Sequence, residues 1–438
     1  MRFLSGLMAL CLTLLAAVPA AAEALLLRNV RVLDVVAGRL GPATDVSVRD
    51  GVIQRIAPGQ AADGARVIDG RGGTLMPGLI DVHVHMMFNA FGPADLGRDD
   101  LTPDRIAAAA GAQARAMLLR GFTAVRDVGG PVWPLKAAID AGKVPGPRIW
   151  PSGNMISQTS GHADLRARDE PSRRFSGKLS RVEKFDIGII ADGRDEVLTA
   201  VRENLRMGAS QIKISAGGGT SSEYDPLDVT QYTLDEMKAA VEAADDWNTY
   251  VTVHAYTPKS VRRAIEAGVK CIEHGQLLDE ATLKLMAEKG IWLSGQNLVA
   301  TTEAMDAGRR EKRRPVIEGQ DRVWPMAKRL GVKLAWGTDF LFEPDLNAQQ
   351  NAYILRLKPW FTPAEILKLV THDNAQLLAL SGPRTPYPGR LGVVEQGALA
   401  DLILVDGNPL ANIDLLAAPA TKFSMIIKGG EVVQSLIK

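Results

Sequence analysis

The chain has only two cysteines in 438 residues, Cys11 and Cys271. Cys11 lies in an apolar N-terminal run expected to be removed, so the mature chain keeps one thiol and cannot form an intrachain disulfide. Charge of one sign is also lacking: 51 lysines and arginines face 50 aspartates and glutamates, a formal net charge of +1. That balance argues against nucleic acid or an anionic membrane as partner. The densest basic stretch, Arg309-Arg310-Glu311-Lys312-Arg313-Arg314, is short and includes an acid, so it reads as a solvated helix face. Beyond the N-terminus no segment reaches the ~18 consecutive apolar residues of a membrane span. Low-complexity linkers and internal repeats are absent too.

The N-terminus itself reads as a secretory signal over residues 1–22. Arg2 supplies the positive start, Leu4 to Val18 is uncharged, and Ala20-Ala21-Ala22 offers a cleavage site before Glu23. A soluble exported protein follows, in the periplasm or outside the cell. The length exceeds one ordinary domain and fits a large barrel plus a smaller module.

Two distant regions share a β style. Leu25–Val32, Asp45–Val48 and Val52–Ile56 alternate apolar residues around turns, as do Ala400–Val405 and Phe423–Ile427. They predict a small β-sandwich built from residues 23–76 and 386–438. Between them, short apolar runs alternate with amphipathic stretches, the pattern of an α/β fold. Candidate strands are Leu79–His85, Phe122–Asp127, Arg148–Pro151, Gln211–Ser215, Tyr250–His254, Cys271–His274, Ile291–Ser294 and Lys333–Asp339. Candidate helices include Pro103–Arg120, Asp195–Met207, Leu234–Ala244, Pro258–Ala267, Asp279–Lys289 and Thr362–Leu380. Such strand–helix units predict a (β/α)8 TIM-like barrel over residues 77–385.

The six histidines carry the chemical signal. His83 and His85 are two apart on a strand, so both imidazoles point to one face. His254 and His274 end later strands, and Asp339 ends the last. Barrel active sites lie where the strands end, and imidazole with carboxylate suits zinc or a related divalent ion. Lys213, inside Gln211–Ser215, would place a positive charge among these ligands. It is a buried ion pair, an outward-facing lysine, or an amine that has added CO2 to become an anionic carbamate able to bridge two cations.

The motifs Met76-Pro77-Gly78-Leu79-Ile80-Asp81-Val82-His83-Val84-His85, Gly121–Asp127, Ile212-Lys213-Ile214, Thr252–Ala255, Ile272–Gly275, Gly337-Thr338-Asp339 and Gly397–Ile403 occur in order over almost the whole chain. In them the chain resembles the amidohydrolase superfamily, in the imidazolonepropionase-like branch that includes exported dipeptidases and prolidase-like peptidases. Imidazolonepropionase itself fits less well, being cytosolic, with one metal and no lysine bridge. The resemblance implies two divalent ions, with zinc expected. His83, His85 and Asp339 would hold one, His254 and His274 the other, with N6-carboxylysine at Lys213 between them. It further implies that Asp339 shuttles the proton, that His162 contacts the scissile carbonyl oxygen, and that a loop tyrosine, Tyr224, binds the substrate carboxylate. His372 reads as structural.

The implied activity is hydrolysis of dipeptides or N-acyl amino acids to release the C-terminal amino acid. Aryl amides such as ochratoxin A are an extension, with Met86, Met87 and Phe88 lining an apolar pocket. A lactonase or cyclic-amide hydrolase is the alternative, and a metal-free structural relative a more distant one. Relatives of this kind are often homo-oligomers, which sets the expectation here by analogy.

Overall fold

The computed structural model describes residues 24–437 apart from 93–94, 96–97, 99 and 299–306. The predicted signal, residues 1–22, lies outside the described residues. The strands in chain order are β1 (Leu25–Asp34), β2 (Arg39–Arg49), β3 (Val52–Ile56), β4 (Arg66–Asp69), β5 (Thr74–Pro77), β6 (Leu79–Val84), β7 (Phe122–Asp127), β8 (Arg148–Pro151) and β9 (Met155–Ser157). They continue as β10 (Gly188–Ile190), β11 (Ile212–Ser215), β12 (Val251–Ala255), β13 (Cys271–His274), β14 (Trp292–Gly295), β15 (Lys333–Trp336), β16 (Leu402–Val405), β17 (Phe423–Lys428) and β18 (Glu431–Ser435).

Both chain ends meet in one eight-stranded sheet, ordered β18-β17-β16-β5-β1-β2-β3 with β4 beside β1. The joint is the antiparallel pair β5–β16, where Met76 faces Ile403. Strand alternation explains why this sheet can be buried on two sides. Leu402 and Leu404 pack with Leu25, Leu27 and Val46. Ile403 and Val405 instead pack with Leu79 and Phe122 at the base of the parallel strands.

The parallel strands form two sheets, β6-β7-β8 and β10-β9-β11-β12-β13-β14-β15. The expected third strand stops at Pro151; the chain turns through Gly153, at φ 76°, and resumes as β9, which the sequence pattern does not mark. Backbone bonds reach across both gaps between the sheets. Ser210 N donates to Pro151 O at 2.8 Å, and Asp339 N donates to His83 O at 2.8 Å.

The helices fall close to their expected bounds, and their caps show why. Thr102 accepts from the backbone of Arg105, with proline opening the helix Pro103–Leu119. Thr233 and Glu236 form a capping box at Leu234–Asp245, and Asp279 caps Glu280–Lys289. Each such cap contributes about 1 kcal/mol.

Two helices depart from expectation. The stretch Thr362–Leu380 is not continuous: a π-turn, Leu369–Asp373, separates Pro363–Lys368 from Asn374–Leu378. The extra residue in that turn leaves Asn374 facing inward, where Nδ2 donates to Ile80 O at 2.7 Å and Trp336 O at 2.8 Å. The second carries the basic run read as a helix face, and is longer than that run: Ala307–Arg329 continues for 23 residues through Pro315 and Pro325, residues that usually break a helix interior. Among the described residues no helix is long and apolar enough to cross a membrane.

Candidate active site

β6 delivers His83 and, just beyond its end, His85, both buried. The last expected strand ends early, at Trp336, and Asp339 lies past it in a left-handed conformation, φ 56°. Asp339 Oδ1 comes to 3.3 Å from His83 Nε2 and 3.4 Å from His85 Nε2. Gly337 permits this crossing: a Cβ there would lie 2.5 Å from the backbone nitrogen of His83. Ligand atoms of His83, His85 and Asp339 all fall within 4.8 Å of one another, a group that could hold a metal ion.

His254 and His274 sit beside them, ring centroids 4.3 Å apart, and His83 is 5.1 Å from His274. Simple alternation on β13 would send Glu273 and His274 to opposite faces. His274 instead takes φ 77°, a conformation that an ordinary residue adopts at a cost and that recurs at functional sites. Its Nδ1 lies 4.0 Å from Asp339 Oδ2. That atom is buried and has no hydrogen-bond partner among the described residues. Lys213, on β11, lines the same cavity and is only 4% exposed. The free space inside the cavity is about 50 Å³.

Metal ligation requires neutral imidazole; burial pushes His85, His254 and His274 that way, whereas at His83 burial is outweighed by the Asp339 and Glu273 carboxylates, which raise it. Burial drives the His254 and His274 rings well below the usual histidine range, with His162 and Lys213 adding to the effect at His254. Burial likewise pushes the Lys213 amine down, against the pull of Glu273 and Asp339. At Asp339 burial works against the charge, but His83 and the hydrogen bonds of both strand histidines outweigh it and hold the carboxyl well below its usual range. The outer ring nitrogens are already engaged. His83 Nδ1 is 2.9 Å from Glu273 Oε2, His85 Nδ1 is 3.0 Å from Gly129 O, and His254 Nε2 is 3.0 Å from Gly218 O. Each ring therefore turns its other nitrogen toward the site, the arrangement that orients metal-binding histidines. Together with the orphaned nitrogen of His274, this donor set fits divalent metal.

Several supporting residues escaped the sequence reading. Glu273 also accepts from Arg126 Nη2 at 2.5 Å and from Thr252 Oγ1. Asp127 accepts from the backbone of Met86 at 2.7 Å and Gly129 at 3.2 Å, fixing the turn that follows His85; burial pushes its carboxyl up to about 8. Asp81 accepts from Thr338 Oγ1 at 2.6 Å and Gln350 Nε2 at 2.9 Å. A signal existed: charged residues inside strands whose every position is buried are rarely there without partners.

His162 reaches the cavity from the loop after β9 and stacks on His254, centroids 3.6 Å apart and planes 15° apart. Its Nδ1 edge is held by Ser222 Oγ at 2.9 Å and Asp225 Oδ2 at 3.3 Å, which leaves Nε2 for the cavity. Gly219 is obligatory here, since a Cβ would sit 1.9 Å from His162 Nδ1. Asp225 is therefore a positioning residue. Asp225→Asn is expected to lower kcat about tenfold with KM and metal content little changed; a rise in KM alone would assign it a different role.

Other expected residues lie elsewhere. Tyr224 lines a separate depression with Asp164, Arg166 and Arg168, its ring under the Arg168 guanidinium at 5.7 Å. Met86, Met87 and Phe88 do not line the cavity: they are buried in the main core, because Asp127 turns the chain inward after His85. The apolar wall comes instead from Met155, Phe340, Leu341 and Leu346. His372 bonds to Asp373 at 2.9 Å and is not among the cavity residues.

A model of the amidohydrolase family matches residues 74–437. Among curated proteins, the ochratoxinase of Aspergillus niger is 32% identical over 376 residues, which is 82% of this chain and 75% of that protein. A crystal structure of an amidohydrolase superimposes with a TM-score of 0.85 at 37% identity, covering 95% of this chain and 100% of that one. A prolidase crystallised with N-methylphosphonate-L-proline gives a TM-score of 0.85 at 34% identity, covering 94% and 100%.

Proposed function

The chain belongs to the amidohydrolase family and is a hydrolase acting on amide bonds, and from that premise we propose that it cleaves dipeptides or N-acyl amino acids to release the C-terminal amino acid. The observation that carries this reading is the meeting of His83, His85, Asp339, Lys213, His254 and His274 around one cavity. In it, β6, β7, the interrupted strand β8–β9 and β11–β15, with their helices, make one (β/α)8 barrel over residues 77–385, beside a β module from 23–76 and 386–438. The first 22 residues direct export, and the apolar side chains of Met155, Phe340 and Leu341 suit contact with aryl amides of the kind that name the ochratoxinase.

His83, His85 and Asp339 would hold one divalent ion, zinc by donor type, and His254 and His274 a second, with the carbamate of Lys213 shared. Bound metal supplies Lewis acidity there, acidifying a water molecule and polarising the amide carbonyl. Asp339 takes the proton of the attacking water and hands it to the departing amine nitrogen as the C–N bond breaks. His162, fixed by Asp225 and Ser222, offers Nε2 to the carbonyl oxygen as charge builds on it.

A library of dipeptides, N-acyl amino acids and lactones, assayed on zinc-loaded protein, tests the reading. Turnover of lactones without any amide would overturn it. Amidating the α-carboxylate of a good substrate is expected to lower kcat/KM at least about tenfold. Equal rates on acid and amide would remove the carboxypeptidase-like part of the proposal.

A further inference from the structure

The basic run Arg309–Arg314 is not the solvated face its composition suggests. The helix Ala307–Arg329 lies against the site and turns three of these residues to work. Lys312 Nζ donates to Ser222 O and Asp225 O, both at 2.9 Å, pinning the loop that holds His162. Arg309 Nη2 reaches Glu343 Oε1 at 2.7 Å. Arg313 points inward, is 4% exposed, and lines the same cavity as His83, His274 and Asp339.

Arg313 is poorly satisfied for a buried cation. Its Nε has no hydrogen-bond partner among the described residues. Its Nη1 stands 3.5 Å from Glu343 Oε1, an oxygen already taken at shorter range by Arg309. Tyr353 lines the same cavity, is 4% exposed, and its hydroxyl is likewise without a partner among the described residues. Buried donors left unmet destabilise a fold, so native sites that keep them generally have a use for them. Two donors, one of them a charged planar fork, suit a carboxylate: the guanidinium geometry matches its two oxygens, and the phenol adds a third contact.

We propose that Arg313 and Tyr353 form a subsite that binds a carboxylate of the substrate within the metal-site cavity. The placement of that carboxylate on a cleavable substrate rests on the amide-hydrolase reading above. The carboxylate is either the α-carboxylate or one on the side chain of the released residue, and both have the chemistry the two donors recognise.

The test uses the full metal-loaded chain and four ligands: N-acetylglutamate, N-acetylglutamine, and the α-amide of each. Turnover and calorimetric binding are measured for the wild type, Arg313→Gln, Arg313→Lys and Tyr353→Phe. Removing the recognised carboxylate from the ligand should weaken wild-type binding and kcat/KM about thirtyfold, equivalent to about 2 kcal/mol. Arg313→Gln should be nearly indifferent to that same removal, and the pair of ligands on which indifference appears identifies the source as α or side chain. Tyr353→Phe should lose about threefold, in KM rather than kcat. If Arg313→Gln fails to fold, Arg313→Lys and Tyr353→Phe carry the comparison. An Arg313 variant that still separates acid from amide as the wild type does overturns the subsite. Wild type that binds and discriminates these ligands yet hydrolyses none overturns the proposed cleavage of N-acyl amino acids and leaves the subsite standing.

Discussion

Lys213→Ala is expected to lower turnover on the order of a thousandfold, the scale of losing a shared metal ligand, while the fold persists. An ammonium has no lone pair to give a metal and would repel two cations. Burial pushes this amine toward its neutral form, and a neutral amine is the form that adds to CO2. The nitrogen bonds to the carbon, one proton leaves, and an anion with two oxygens remains. Activity regained by adding zinc should therefore depend on CO2. Metal is stripped at mildly acidic pH, where a carbamate decomposes, and zinc is returned with or without bicarbonate. Acetate or propionate should partly restore Lys213→Ala by filling the vacated space. Full recovery in a CO2-depleted buffer would sink the carbamate, as would electron density ending at Lys213 Nζ in a metal-loaded, active crystal.

His162→Asn should retain its metal and lose about a hundredfold in kcat, close to the ~3 kcal/mol that one oxyanion contact is worth. The prediction rests on placement. The ring lies on His254 at 3.6 Å and is held at Nδ1, which leaves Nε2 for the cavity, where the proposed mechanism needs a donor to the carbonyl oxygen. Metal analysis and steady-state kinetics on the same preparation decide it. A variant that loses metal would make His162 a ligand and overturn the division of roles.

The candidate ligands were legible because their spacing follows from backbone geometry. Two histidines one strand period apart must share a face, and residues at the ends of parallel strands must gather at one end of the sheet. The helices were legible because Thr233, Asp279 and Thr362 each sit where a cap belongs. The break after Lys368 was not legible, since a π-turn adds no residue type that marks it. Nor was β9, whose three residues are too few for a pattern.

By itself, then, the sequence determined which side chains belong at the strand ends, because local period and strand direction are properties of consecutive residues. Only the tertiary structure decided what each side chain meets. Glu273 and His274 are neighbours that alternation would separate, and a backbone φ of 77° at His274 brings them to one site. Met86, Met87 and Phe88 look like a pocket wall in sequence, yet the carboxylate of Asp127, from another strand, turns them into the core. Arg313 looks like part of a solvated charge run, yet the helix that carries it packs with that one position facing the cavity. For Met86–Phe88 and for Arg313 the deciding contacts come from residues far away in the chain, and no window of neighbouring residues contains them.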